Sequence, residues 1–159
     1  NKNLGARLII NLEKLYLSLK KLDLKDDKIE NYYIQSHNLG IVPKNLNQLQ
    51  NKLFGIECNY EELNAIDFKK GCYVGQENTA RIKLKNKLSK RLLPIKIIGG
   101  KLSENETIYN NNVEIGKVLI NDEYPFALIR YLDKSFDKNQ TFKGKNGSFK
   151  IFIPEWLKI

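Results

Sequence analysis

KRLLPIKII, residues 90–98, is the stretch on which the fold turns. It is a short apolar run rich in β-branched side chains, and Gly99 and Gly100 bound it as turn residues bound strands. Three runs of the same texture follow: VEIGKVLI at 113–120, YPFALIRYL at 124–132 and GSFKIFI at 147–153, each flanked by Gly, Asn or Asp. Four or more short strands at such spacing predict a small antiparallel β-barrel.

Upstream of Lys90 the texture is mixed. ARLII at 6–10 reads as a strand, and Leu12, Leu15, Tyr16, Leu19 and Leu22 then recur three and four apart, as on one helix face. Asp26 and Asp27 can cap a second helix over DKIENYYIQSHN, and Gly40 supplies the left-handed position that commonly ends one. GIVPKN reads as a turn, residues 44–59 as loop with one helical turn, and YEELNAI as a short helix with an acid-rich start. The fold class is therefore α+β, with a boundary near residues 87–92.

Length and composition allow one good core or two small ones: 159 residues, 42% apolar and 28% charged, as in an ordinary globular protein. No apolar run reaches the roughly 18 residues of a membrane span, and no secretory leader is visible. A cytoplasmic location is expected, with Cys58 and Cys72 as free thiols. The chain contains no Met and opens on NKNLGARLII, so it is expected to be the carboxy-terminal part of a longer protein. The formal charge of +9 invites a nucleic-acid partner, against the plainer reading of solubility. The charge is concentrated: Lys69, Lys70, Arg81, Lys83, Lys85, Lys87, Lys90 and Arg91 face a single acid, Glu77, within residues 69–91.

Inside that basic segment lies KKGCYVGQENTARIK, residues 69–83. Its core, Lys70, Gly71, Cys72, Tyr73, Val74, Gly75, Gln76 and Glu77, followed by Ala80 and Arg81, resembles the signature of the YgfZ-like branch of the YgfZ/GcvT folate-binding family. The surrounding order is similar as well: LGAR at 4–7, HNLGIVP at 37–43, FGIECNYEELNAIDF at 54–68, then EIGKVLI, FALIRYL and a closing IPEWL. The resemblance implies a three-lobed protein with tetrahydrofolate near its centre. Residues 1–89 would be the carboxy-terminal part of the aminomethyltransferase-like folate-binding domain, and 90–159 the terminal β-barrel. The Cys-bearing motif sets the chain apart from the glycine-cleavage aminomethyltransferases. It points to the branch associated with maintaining iron–sulfur enzymes, including those that methylthiolate tRNA. Implied partners are folate, iron–sulfur assembly proteins or client enzymes, and tRNA through residues 69–91. A eukaryotic member would sit in the mitochondrial matrix, and no membrane association is implied.

Each motif residue has a chemical and a plain reading. Cys72 is a candidate reactive or cluster-handling thiol, because nearby cations and a helix beginning near Gly75 would stabilise its thiolate; the alternative is a small buried residue. Gly71 and Gly75 would permit special backbone geometry or close approach, or are plain turn glycines. Glu77 and Arg81, four apart, form a surface pair on a helix; alternatively Arg81, Lys70 and Gln76 face the folate glutamyl tail or a phosphate-bearing partner. Glu57 would accept hydrogen bonds from the pterin edge, or is an ordinary exposed acid. Cys58 reads as structural, and the lone His37 lacks companions at ligand spacing, so no metal site is expected. Trp156 reads as sealing the barrel. Two other functions stay open: a tetrahydrofolate-dependent aminomethyltransferase and a basic RNA-binding module.

Overall fold

The structure, a computed structural model, describes residues 2–72, 74–84, 88–132, 136–137 and 139–158. Six antiparallel strands close into a barrel: β1 (Lys90–Lys101), β2 (Thr107–Asn110), β3 (Val113–Ile120), β4 (Phe126–Arg130), β5 (Thr141–Lys143) and β6 (Asn146–Ile151), in the spatial order β1-β4-β3-β2-β5-β6. The expected α+β class and small barrel are both present. The four runs legible in the sequence supply β1, β3, β4 and β6; β2 and β5 are only four and three residues long, too short to stand out.

β1 closes the barrel by changing partner midway. Lys90 to Pro94 pair with β4, and Ile95 to Lys101 pair with β6. Pro94 lies at the changeover, where its missing N–H costs no ladder bond and its carbonyl accepts from the Phe152 N–H at 2.9 Å. Residues 91–95 are all buried, without the alternation of a one-sided strand. Leu93 and Ile95 enter the barrel core with Ile108, Ile129, Phe142 and Phe149. Leu92 joins a second cluster with Leu49, Leu119, Ile120 and Phe126, against which Val42, Leu53 and Cys58 pack. β1 is thus covered on one face by the barrel and on the other by the preceding chain, which is why its sequence is a continuous apolar run.

The preceding chain holds α1 (Leu15–Lys21), α2 (Ile29–Asn38) and α3 (Gln76–Leu84), with 3-10 turns at Leu12–Lys14 and Leu46–Leu49. α2 is not capped by Asp26 or Asp27: its N-cap is Lys28, with no side-chain cap hydrogen bond, and the Asp27 carboxylate one residue earlier accepts instead from the Lys28 N–H at 2.7 Å and from the Asn31 side chain. Gly40 ends it with φ +69, and a Cβ there would collide with the Pro154 ring. The chain terminus is fastened to the same helix end, since Trp156 Nε1 donates to the Leu39 carbonyl at 2.7 Å while the ring packs on the barrel core. Trp156 therefore seals the barrel, as expected.

Two expected elements are absent. ARLII forms no strand: among the described residues it has no ladder partner, and Leu8 and Ile9 are 55% and 93% exposed. Apolar sequence alone does not make a strand without a neighbour for its backbone groups. YEELNAI forms successive turns instead of a helix, bracketed by left-handed Asn59 (φ +63) and Asn64 (φ +58), which leave too few residues between them for helical propagation.

Candidate functional site

The motif forms an exposed loop that feeds α3. Gly71 and Cys72 are exposed, and Gly75 adopts φ +85 immediately before the helix begins at Gln76. A left-handed residue at that point reverses the chain, and Gly does so without Cβ strain. Among the described residues, no atom other than those of the chain neighbours lies within 4 Å of a Cβ built at Gly71 or Gly75. Tyr73 lies outside the described residues, and Val74 points fully into solvent. Cys72 accordingly sits four residues before the start of a nine-residue helix, accessible to a reagent or partner.

The polar motif residues divide. Lys70 is exposed and Gln76 half-buried. Arg81 Nη2 lies 3.3 Å from Glu77 Oε1 and donates to Asn78 Oδ1 at 3.0 Å, the i,i+4 and i,i+3 geometry of a helix surface. Glu57 is elsewhere: its carboxylate accepts from the Phe54 N–H at 2.9 Å, closing a turn, and its backbone carbonyl accepts from the Leu92 N–H at 2.8 Å. It acts there as a local brace between the turn and β1.

The two thiols differ in environment. Cys58 packs on the second apolar cluster, and burial, aided by the neighbouring Glu57 carboxylate, pushes its pKa up to about 12. Such a thiol is inert at neutral pH. His37 is half-buried, with Nε2 3.0 Å from the Pro125 carbonyl and its ring edge-on to Phe126 at 5.1 Å. Burial holds its pKa below the ordinary value, against the opposing pull of the Pro125 carbonyl and Asp122. Among the described residues no three His, Cys, Asp or Glu side chains gather as a metal site would require.

Folding also brings acids to the basic segment that its own sequence lacks. Lys83 Nζ lies 2.6 Å from Glu61, and Arg91 Nη2 lies 2.6 Å from Glu62. Arg91 is buried, donates through Nη1 to Asn59 Oδ1 at 3.1 Å and faces the Tyr131 ring at 6.0 Å. Lys85 and Lys87 lie outside the described residues. Asn59, Glu62 and Arg91 thus form a buried polar junction between the turns and the barrel. Arg91 belongs to the basic 69–91 segment by sequence, and its place inside an otherwise apolar strand is the signal of its burial.

No protein-family model matches the chain. Curated proteins do. The chain is 34% identical over 90 residues to the iron-sulfur cluster assembly factor IBA57 homolog, mitochondrial, of Neurospora crassa, an alignment covering 57% of this chain and 20% of that protein. It is 33% identical over 96 residues to the like-named protein of Dictyostelium discoideum, covering 58% and 23%. Against the tRNA-modifying protein YgfZ of Buchnera aphidicola subsp. Baizongia pistaciae it is 39% identical over 92 residues, covering 55% and 28%. The chain is similar to these proteins over somewhat more than half of its own length. It spans between 20% and 28% of the length of these three relatives. Among the described residues no helix is long and apolar enough to cross a membrane.

Proposed function

We propose that this YgfZ-like chain belongs to a folate-binding factor that supports the maturation or repair of iron–sulfur enzymes, tRNA-modifying enzymes among them. The observation that carries the reading is the open, glycine-flanked presentation of Cys72 ahead of α3, joined to homology with proteins named for iron–sulfur cluster assembly and tRNA modification. The iron–sulfur cluster is cargo in this scheme. Cys72 would supply one thiolate ligand to the iron of a cluster, the remaining ligands coming from the partner protein. The cytoplasm, or the mitochondrial matrix in a eukaryote, is the compartment where such a thiol stays reduced.

For tetrahydrofolate, Lys70, Gln76 and Arg81 would supply at most one exposed side of a site. A ligand of that size buries about 70–90% of its surface, whereas Cys72 and Lys70 are exposed and the Arg81 side chain is 54% exposed. Arg81, Lys70 and Gln76 would hold the glutamyl carboxylates, with Arg81 released from its weak surface pair with Glu77. Glu57 would bind the pterin edge only by giving up the Phe54 N–H. Bound tetrahydrofolate supplies ring nitrogens able to carry a one-carbon unit; the chain's own residues orient its tail and limit water on one side. In domain terms, we assign residues 1–89 to the end of the folate-binding domain and 90–159 to the terminal barrel. Contact with tRNA through residues 69–91 would rest on Lys69, Lys70 and Lys90, which make no ion pair among the described residues.

Depletion of the protein in cells tests the function. Iron–sulfur-dependent methylthiolation of tRNA should fall, while tRNA modifications made without iron–sulfur enzymes stay intact. Equal persistence of both classes would contradict the proposal.

A further inference from the structure

The β2-β5-β6-β1 wall of the barrel carries a basic face. Tyr109 on β2, Lys143 on β5 and Ser148 on β6 are direct register partners in one row; Thr141, Lys150 and Lys96 on β5, β6 and β1 form the next. The rows are two residues apart along β5 and β6, so their outward side chains share one face at a spacing of about 7 Å. The intervening Phe142, Phe149 and Ile151 are buried in the core, which fixes the outward direction of the others. Phe152, two residues past Lys150, extends the same side beyond β6 and is 48% exposed, while Tyr109 is 54% exposed.

Within the two rows the charge is of one sign, and acids lie at the margins: Glu114 is the register partner of Tyr109 on β3, Glu104 and Glu155 line the hollows beside Lys143 and Lys150, and Asp122 and Glu123 line a hollow with Lys96 and Phe152. Lys96 and Lys150 stand directly opposite each other, an unfavourable cross-strand pair in isolation. Among the described residues neither they nor Lys143 make an ion pair. The rows contain no acid. Glu106, at the edge, is buried, and its carboxylate accepts the backbone N–H groups of Ser103 and Lys145. Two hollows flank the rows: one of about 460 Å³ beside Tyr109 and Lys143, the other of about 530 Å³ beside Lys150 and Phe152. Exposed cations between two exposed rings, each ring lining a hollow, are complementary to an extended polyanion with flat bases. A duplex hides its base faces, and an anionic membrane surface would match the charges but leave the ring-lined hollows without a role.

We propose that the β2-β5-β6-β1 face binds single-stranded RNA, with Lys96, Lys143 and Lys150 on phosphates and Tyr109 and Phe152 stacked under bases. The proposal is independent of the function assigned above, because it uses neither Cys72 nor folate. Fluorescence anisotropy of a labelled oligouridylate of roughly a dozen nucleotides, titrated with the chain at several salt concentrations, tests it. The triple variant Lys96→Gln, Lys143→Gln, Lys150→Gln should bind more weakly and reduce the slope of log K against log salt by roughly 2, about 0.7 for each lost cation. Tyr109→Ala and Phe152→Ala should each weaken binding roughly 5- to 150-fold with the slope kept. Lys83→Gln, which removes a cation already paired with Glu61, should leave the slope unchanged. All five substituted positions on the two face sets are exposed, so circular dichroism and melting temperature should match the parent. An unchanged slope in the triple variant, a reduced slope in Lys83→Gln, or no saturable RNA binding by the parent would overturn the proposal. Binding to phosphatidylserine vesicles with the same residue dependence, without RNA binding, would assign the face to membranes instead and overturn it equally.

Discussion

Glu62→Ala should destabilise the protein by about 2–3 kcal/mol, below the roughly 3–5 kcal/mol cost of breaking a fully buried ion pair. The Arg91 side chain is 8% exposed and that of Glu62 24%, so truncation strands a guanidinium whose other side-chain acceptor is Asn59. Two features keep the loss below the fully buried limit: water reaches the Glu62 side, and among the described residues neither Glu62 Oε2 nor Arg91 Nε has a hydrogen-bond partner. The damage should be confined to the junction where Asn59 Nδ2 also donates to the Leu92 carbonyl at 2.9 Å. Urea unfolding followed by circular dichroism measures the change, and the corresponding drop in melting temperature is about 4–12 °C for a chain of this size. The double variant Glu62→Leu, Arg91→Met removes both charges and should recover most of the loss, because the desolvation cost disappears together with the attraction. A Glu62→Ala variant within about 0.5 kcal/mol of the parent, or a double variant as unstable as the sum of its single changes, would refute this account of the junction.

Acidification should weaken the fold through His37. Burial holds its folded pKa below the unfolded value, so the unfolded chain takes up the proton first; the stability contribution is complete above the unfolded pKa and is lost as pH falls through it. Urea midpoints should therefore drop between about pH 7.5 and pH 5, with a smaller drop in His37→Gln; an equal drop in that variant would assign the effect elsewhere. Thiol counting should find two classes: in the native chain one thiol, Cys72, reacts with an aromatic disulfide reagent at neutral pH, and Cys58 follows only in denaturant. Equal native rates for Cys72→Ser and Cys58→Ser proteins would contradict the two environments.

The barrel was legible because its four longer runs each carry enough β-branched side chains to declare a strand, and because Gly75 and the Gln76–Leu84 segment placed a helix after the motif. ARLII misled because its composition is that of a strand, whereas strand formation depends on a partner edge that sequence does not reveal. YEELNAI misled because its acid-rich start suggests a helix, whereas Asn59 and Asn64 adopt left-handed conformations that the local sequence does not announce. The charge of the 69–91 segment was overestimated for a related reason: Glu61 and Glu62 are remote in that local count yet adjacent in space to Lys83 and Arg91. Conversely, the alternation of β5 and β6 places lysines in register that lie on separate strands, a pattern visible only once the pairing is known.

The central claim is that Cys72 has a chemical role, and its removal separates that from packing. An exposed thiol contributes little burial, so Cys72→Ser should leave the melting temperature within about 1–2 °C of the parent, as for surface substitutions generally. The decisive measurement is the activity of an iron–sulfur methylthiolating enzyme in cells lacking the native protein and supplied with the Cys72→Ser form at equal abundance. The account predicts that methylthiolation stays near the level of unsupplied cells while the variant remains folded. Restoration to the parent level would make Cys72 dispensable and contradict the account.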